Sequence, residues 1–301
     1  MRTERLGRSG LEVSIVGLGC NNFGGRIDKE RSREVVDAAF DAGITFFDTA
    51  DIYGNRGGSE TILGELLEGR RDGVVLATKF GHDMGDGPNG SAEYVHKAIR
   101  ASLERLRTDR IDLYYYHRPD GQTPVAETLG AMQELVAEGL VRAIGCSNFD
   151  VALLTEAEEL AGADGGPRFE AVQNEYSLLH REAEEDVLPL AGKLDVGFVP
   201  YFPLASGLLT GKYRRGEPRP TGTRLDGRDL DDADLDRVEA LASFAAARNV
   251  SLLDVAIGAL AARPEIPSVI AGATSAEQVR ANAAAAGWQP TTDDLAELAA
   301  L

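Results

Sequence analysis

Residues 111–120 read Ile111-Asp112-Leu113-Tyr114-Tyr115-Tyr116-His117-Arg118-Pro119-Asp120. The run up to Tyr116 is mostly apolar or aromatic and shows no strict alternation with polar residues. A strand with one solvated face would alternate; a run like this suits a parallel strand covered on both faces. Beyond it, Thr123 precedes Pro124, and proline is favoured at the first position of a helix. The stretch therefore reads as a strand, a loop and a helix over 124–138.

The same unit recurs on both sides. Strands are expected at Val13–Gly19, Phe46–Ala50, Val74–Lys79, Ile111–His117, Val141–Ser147, Ala171–Ser177, Gly197–Phe202 and Ser268–Ala273. Helical patterns fall near 29–42, 59–69, 91–107, 124–138, 150–161, 181–192 and 251–262, with further segments near 232–247, 275–286 and 292–300. Ser59 before Glu60, and Ser91 three residues before Tyr94, read as helix caps. Eight strand-then-helix units predict an α/β fold, an eight-stranded parallel (β/α)8 TIM barrel, as one domain over 1–301. Two segments break the rhythm. Residues 3–12, with Gly7-Arg8-Ser9-Gly10 at the tip, predict a β-hairpin that plugs the N-terminal end of the barrel. Residues 212–231, rich in Gly, Pro and Arg, predict a long functional or mobile loop.

Composition narrows the function. The 301 residues are 43% hydrophobic, enough for one large core, and the net charge is −18. Such a surface repels nucleic acid and anionic membranes. Acidic runs such as Asp229–Asp236 read as solvated helix faces. The start, Met1-Arg2-Thr3-Glu4-Arg5, lacks the apolar run of a signal peptide, and no stretch of 18 apolar residues occurs. Two cysteines, Cys20 and Cys146, fit a reducing cytoplasm and give neither a disulfide framework nor a metal site. They follow the first and fifth strands, across the barrel from each other, and are expected to be free thiols.

Barrel chemistry sits at the C-terminal strand ends. Asp48 and then Tyr53 follow the second strand in Asp48-Thr49-Ala50-Asp51-Ile52-Tyr53-Gly54; Lys79 ends the third; His117 ends the fourth. Together they make chemical sense for carbonyl reduction, which needs a hydride donor and a proton donor. Tyrosine is a weak acid with a pKa of about 10. A nearby ammonium favours the phenolate and is expected to lower that pKa. A carboxylate keeps the amine charged and oriented. A histidine beside the phenol can hydrogen-bond the carbonyl oxygen as charge develops on it.

From about Leu6 to Asn282 the chain resembles the aldo-keto reductases, and the stretches around Asp48, Tyr53, Lys79 and His117 match that family's catalytic tetrad in order and spacing. The resemblance implies that Tyr53 is the general acid, that Lys79 and Asp48 tune it, and that His117 orients the carbonyl. Potassium-channel β-subunits look similar in many motifs but typically have Asn where this chain has His117, which favours an enzyme.

Gly17-Leu18-Gly19 begins as GxG, yet position 22 is Asn22, so the dinucleotide fingerprint GxGxxG fails. The resemblance implies instead a nicotinamide cofactor held in the family's barrel mode. Ser147, Asn148 and Gln173 would bind the carboxamide, and Tyr201 would stack on the ring. The Leu204–Ser206 backbone and Lys212 would line the pyrophosphate. Gly272 and Thr274 would form a phosphate loop, with Gln278 and Asn282 at the adenine; Ser275, Gln278 and Asn282 share one helix face. Cys20, Asn21, Asp48, Phe202 and Pro203 complete the expected cofactor contacts. Many family members grip the 2′-phosphate of NADPH with a Lys at the position of Gly272 and an Arg at that of Gln278. The channel-type branch uses an Arg in the loop after the seventh strand, which Arg224 matches. NADPH is thus the expected cofactor, with NADH as the alternative.

For substrate, Tyr53 and His117 are expected at the carbonyl with Asn22 and Phe23 beside them, and Arg26, Asp51 and Tyr116 as further pocket residues. The chain ends at Leu301 without the long tail that narrows the pocket in some family members, so an open site is expected. The predicted activity is NADPH-dependent reduction of an aldehyde or ketone, or the reverse oxidation of an alcohol or sugar. The alternatives are a nicotinamide-nucleotide-sensing regulatory protein with little turnover and a barrel that uses phosphate binding for non-redox chemistry.

Overall fold

In the computed structural model the chain is described from Met1 to Leu301, except residues 86, 88, 165 and 167 and the side chains of 163 and 164. Strands β1 (Thr3–Arg5) and β2 (Glu12–Ser14) form an antiparallel hairpin, with Thr3 opposite Ser14. Eight strands then run parallel: β3 (Val16–Gly19), β4 (Phe46–Asp48), β5 (Val75–Phe80), β6 (Ile111–Tyr116), β7 (Val141–Ser147), β8 (Phe169–Gln173), β9 (Gly197–Phe198) and β10 (Val269–Gly272). Their order is β10-β3-β4-β5-β6-β7-β8-β9, the cyclic order of a (β/α)8 barrel. The sheet curls without a ladder between β9 and β10 among the described residues. Instead the Phe198 N–H donates to the Glu265 carbonyl at 2.8 Å.

Among the described residues ten α-helices surround the sheet: α1 (Lys29–Asp41), α2 (Tyr53–Leu66), α3 (Ala92–Leu106), α4 (Val125–Ala137), α5 (Val151–Asp164), α6 (Val187–Leu194), α7 (Asp232–Ala247), α8 (Leu252–Ala261), α9 (Ala276–Ala285) and α10 (Thr292–Ala300). Among the described residues no single helix is long and apolar enough to cross a membrane.

The unalternating strand sequences are explained by two apolar layers. Phe46, Ala77, Leu113, Tyr115, Ala143, Ala171, Val199 and Ile270 fill the barrel interior together with Leu6, Leu11 and Val13 of the hairpin. Their strand neighbours, such as Phe47, Leu76, Tyr114 and Ile144, pack outward with the helices. The interior is tight: a Cβ at Gly145 would lie 2.6 Å from the Tyr115 ring, so the bulk of Tyr115 requires glycine on the neighbouring strand. The hairpin closes the N-terminal end, as expected. At its tip Gly7 has φ +52°, and a Cβ there would meet the Glu170 carbonyl at 2.4 Å, while the Arg8 N–H donates to the Glu170 carboxylate at 2.8 Å.

Several boundaries differ from the sequence reading. The first expected strand breaks at Ile15, because its first half pairs with β1 and its second half enters the barrel. The expected strand to Phe202 keeps only Gly197–Phe198; Tyr201 remains tied to the sheet through a bridge to Glu175. The helix expected over 181–192 starts as a 3-10 turn, Glu182–Glu184, before α6. Ser91 caps α3 by accepting from the Tyr94 N–H. Ser59 is not a cap: its hydroxyl lies 2.8 Å from that of Thr49 and donates to the Cys20 carbonyl at 2.8 Å, stitching the ends of β3 and β4 together. Cys20 and Cys146 are buried and unpaired, and burial pushes both thiols well above their ordinary pKa.

Candidate functional site

Four expected residues meet at the C-terminal end of the barrel. Asp48 closes β4, Lys79 lies near the end of β5, His117 follows β6, and Tyr53 opens α2 after a short turn. Lys79, fully buried, donates from Nζ to Asp48 Oδ1 and, at 2.9 Å, to the Thr49 carbonyl. The other Asp48 oxygen accepts from the Gln173 amide at 3.0 Å. The Lys79 ammonium sits 5.3 Å from the centroid of the Tyr53 ring. Tyr53 meets His117 edge-on at 5.7 Å, and His117 meets His82 in the same way at 4.3 Å.

Electrostatics at this point are set by burial first. Burial alone would depress the Lys79 ammonium, but Asp48 and then Tyr53 more than offset it, so its pKa stands above the ordinary value. The Tyr53 phenol is also raised: burial penalises the phenolate, and Lys79 works against that without overcoming it. This reverses the sequence expectation of a lowered Tyr53 pKa, which counted the ammonium and not the burial. His117 is held neutral, its pKa driven well down by burial and then by Lys79, His82 and Arg118.

Above these groups opens a cleft of about 720 Å³. Of the expected cofactor residues, Cys20, Asn21, Asp48, Asn148, Gln173, Tyr201, Phe202, Pro203, Leu204, Ser206, Lys212, Arg224, Gly272, Thr274, Gln278 and Asn282 all line it, with Ser275. The Tyr201 hydroxyl donates to Asn148 Oδ1 at 2.8 Å, and Asn148 Nδ2 donates to the His117 carbonyl at 2.9 Å. Asn148, Phe202, Ala205 and Ser206 all have positive φ, a costly backbone for residues other than glycine and one that clusters at ligand sites. Ser275 caps α9, leaving that helix's N-terminus on the cleft. Gln278 Oε1 accepts from the Thr274 N–H at 2.8 Å and so shapes the same turn. Arg224 donates to Asn22 at 3.1 Å and Arg26 donates to the Gly222 carbonyl at 3.2 Å, so the 212–231 loop is fastened across the cleft.

Other expectations are displaced. Ser147 stands behind the wall, with its hydroxyl accepting from Asn148 Nδ2 at 3.1 Å. Asn22 and Arg26 line the cleft, but Phe23 is fully buried in the core between strands and helices. Tyr116 points to the outer layer, stacked on Phe80 at 5.3 Å. Asp51 is buried beneath the site instead of facing it. Sequence reasoning missed His82 and Arg118, which line the cleft beside His117. Each lies two residues beyond a strand end, His82 after Phe80 and Arg118 after Tyr116, so the rule that found Lys79 and His117 would have found them had it run into the loops that follow.

Comparison with known proteins agrees with the fold. The sequence model described as "Aldo/keto reductase family" matches residues 15–301. This chain belongs to the aldo/keto reductase family. It is 38% identical over 300 residues to a "Probable voltage-gated potassium channel subunit beta" of Oryza sativa subsp. japonica, covering 94% of this chain and 90% of the relative. It is 39% identical over 294 residues to the "Uncharacterized oxidoreductase YrpG" of Bacillus subtilis (strain 168), covering 93% and 89%. A second protein of that organism, "Uncharacterized oxidoreductase YqkF", is 33% identical over 303 residues. Family membership and the oxidoreductase names of these relatives support an oxidoreductase.

Proposed function

We propose that this aldo/keto reductase family member is a cytoplasmic, NADPH-dependent oxidoreductase that reduces an aldehyde or ketone to an alcohol, or runs the reverse oxidation. The convergence of Tyr53, Lys79, Asp48 and His117 at the floor of one cleft carries the reading. The cleft fits a dinucleotide in size and donor set. Asn148, Gln173 and Tyr201 would hold its nicotinamide end, with Ser147 behind them fixing Asn148 through its hydroxyl; Leu204, Ser206 and Lys212 would hold the pyrophosphate, and Gly272, Thr274, Gln278 and Asn282 the adenosine end. The unpartnered, buried Asn21 Oδ1 is one further acceptor at this wall. When bound, the cofactor supplies the hydride.

The chain's own residues handle the proton. Tyr53 carries its hydroxyl proton at neutral pH, as an ordinary tyrosine with a pKa of about 10 does, and burial only reinforces this. It delivers that proton to the carbonyl oxygen. Lys79 stabilises the phenolate left behind, and Asp48 with Gln173 fixes the ammonium in place. Neutral His117 offers a ring N–H to the carbonyl oxygen as negative charge grows on it. The low polarity of the buried floor strengthens each of these interactions.

Loss of NADPH absorbance with a panel of aldehydes tests the reading. Turnover that disappears in Tyr53→Phe is the expected result. Cofactor binding with no turnover on any carbonyl would favour a nucleotide-sensing role, a reading to which the channel-subunit relative lends weight. Cofactor choice has its own test. Arg224 lines the cleft within the basic loop, and a guanidinium binds a phosphate through paired charge-assisted bonds. Arg224→Ala should weaken NADPH by about 1.5–3 kcal/mol more than NADH. Lys212→Ala should weaken both alike. Fluorescence titration of each variant reads this out, and equal losses in the Arg224 variant would remove Arg224 as the selector.

A further inference from the structure

Arg118 is the charged residue that the scheme above leaves unused. It directly follows His117, is exposed, and lines the cleft beside His82, His117 and Tyr201. Among the described residues its side chain makes no ion pair and no hydrogen bond, although the chain carries 49 acidic residues against 31 Lys and Arg. The carboxylate nearest in sequence is committed elsewhere. Asp120 accepts from the N–H groups of Gln122, Thr123 and Gly90 at 2.8–2.9 Å and from the Thr123 hydroxyl at 2.7 Å. The other acidic residues on the cleft do not neutralise it either. Asp48 is bound to Lys79, and Glu277 sits on α9, among the residues assigned to the adenosine end.

The remaining cations of the cleft have occupations. Arg26 and Arg224 fasten the loop to the wall, and Lys212 stands with the residues assigned to the pyrophosphate. Among the described residues, Arg118 alone places an unpaired positive charge at the Tyr53 and His117 end of the cleft. Its field there is felt by His82, His117 and Tyr201, each of whose titration it biases.

Resting on the reductase reading, we infer that Arg118 selects carbonyl substrates that carry a carboxylate. A guanidinium matches a carboxylate through two parallel, charge-assisted hydrogen bonds. A single cation beside a neutral His82 suits a monoanion; a phosphate dianion would call for more positive charge than this end of the cleft holds.

The test compares two aldehydes of one shape, para-carboxybenzaldehyde and para-tolualdehyde, with NADPH. In parallel, calorimetry follows para-hydroxymethylbenzoate binding to the protein saturated with NADP+, which needs no turnover. The expected wild-type kcat/KM ratio favours the carboxylate by roughly tenfold or more. It should fall towards one in Arg118→Met, be partly kept in Arg118→Lys, and shrink with added salt. Benzoate binding should weaken in the same order. A wild-type ratio near one, or a ratio unchanged in Arg118→Met, overturns the inference and leaves the reductase reading intact. If neither these two nor any aldehyde of the wider panel is reduced but benzoate binding still depends on Arg118, the reductase reading falls and the carboxylate site stands. If benzoate does not bind either, both fall.

Discussion

Asp48 and Asp51 lie three residues apart, both almost fully buried, and the fold treats them in opposite ways. Asp48 is held by the Lys79 ammonium on one oxygen and the Gln173 amide on the other. Among the described residues no side chain pairs with either Asp51 carboxylate oxygen, the Ile52 N–H only weakly favours its charge, and the nearby Tyr114 hydroxyl is unpartnered too. Its acidic neighbour Glu60 is itself bound by Thr78 and Arg105. Burial, reinforced by Glu60, pushes the Asp51 carboxyl up to about 7. Depth alone therefore does not decide what a buried acid does; the charge facing it does. The paired acid supports chemistry one side chain away, and the unpaired one is a cost that the core carries.

The largest effect should come from the chemistry that the paired acid supports. Tyr53→Phe should lower carbonyl reduction by roughly 10²–10⁴-fold, the usual contribution of a positioned general acid. NADPH binding, followed by fluorescence, should be retained, because the hydroxyl is not among the groups assigned to the cofactor. Undiminished turnover would detach the Asp48 cluster from catalysis and leave it purely structural.

Much of this contrast was legible in the sequence, but not its sign. Asp48, Lys79 and His117 stood out because each interrupts an apolar strand at its C-terminal end, where a barrel exposes its chemistry. What surrounds a residue was not legible. Asp51 read as a pocket residue because it shares a stretch with Asp48, yet the turn before α2 carries it beneath the floor. Tyr116 failed through phase: Tyr115 fills the barrel interior, so its neighbour must face the helices. Phe23 was drawn to the cleft by Asn21 and Asn22, and its ring went to the core because an apolar side chain gains by leaving water. The raised Tyr53 pKa escaped for the same reason as Asp51: burial is a property of the assembled fold and not of the local sequence.

The pairing itself can be broken from either side. Lys79→Met leaves the Asp48 carboxylate buried with only an amide donor, and Asp48→Asn leaves the ammonium buried without its counter-ion. Each should cost about 3–5 kcal/mol, the usual penalty for stranding one partner of a buried pair. The double variant strands neither charge, so its loss should fall well short of the sum. Urea unfolding of the three variants checks this. Additive losses would show that Asp48 and Lys79 are not coupled and would erase the distinction from Asp51.

Asp51→Asn should act in the opposite direction and with the smallest size. In the unfolded chain Asp51 titrates near its ordinary value of 3.8; the fold pushes it up to about 7. A carboxyl whose pKa is raised by folding favours the folded state fully below the lower value, and this contribution is lost as pH rises through the upper one. Wild-type stability should therefore decline, relative to Asp51→Asn, across the window from about pH 4 to pH 7, and level off above it. The full shift would correspond to about 4 kcal/mol at about 1.4 kcal/mol per pH unit. Relaxation of the interior and entry of water around an ionised carboxylate reduce such penalties, so a relative gain of about 1–2 kcal/mol at pH 8 is expected. Asparagine brings its own unmet hydrogen bonds, but that cost does not vary with pH. The slope of the difference between the two unfolding curves isolates the titration. Parallel curves from pH 4 to pH 8 would mean that Asp51 ionises as readily in the fold as outside it, and that a group of the interior holds it much as Lys79 holds Asp48.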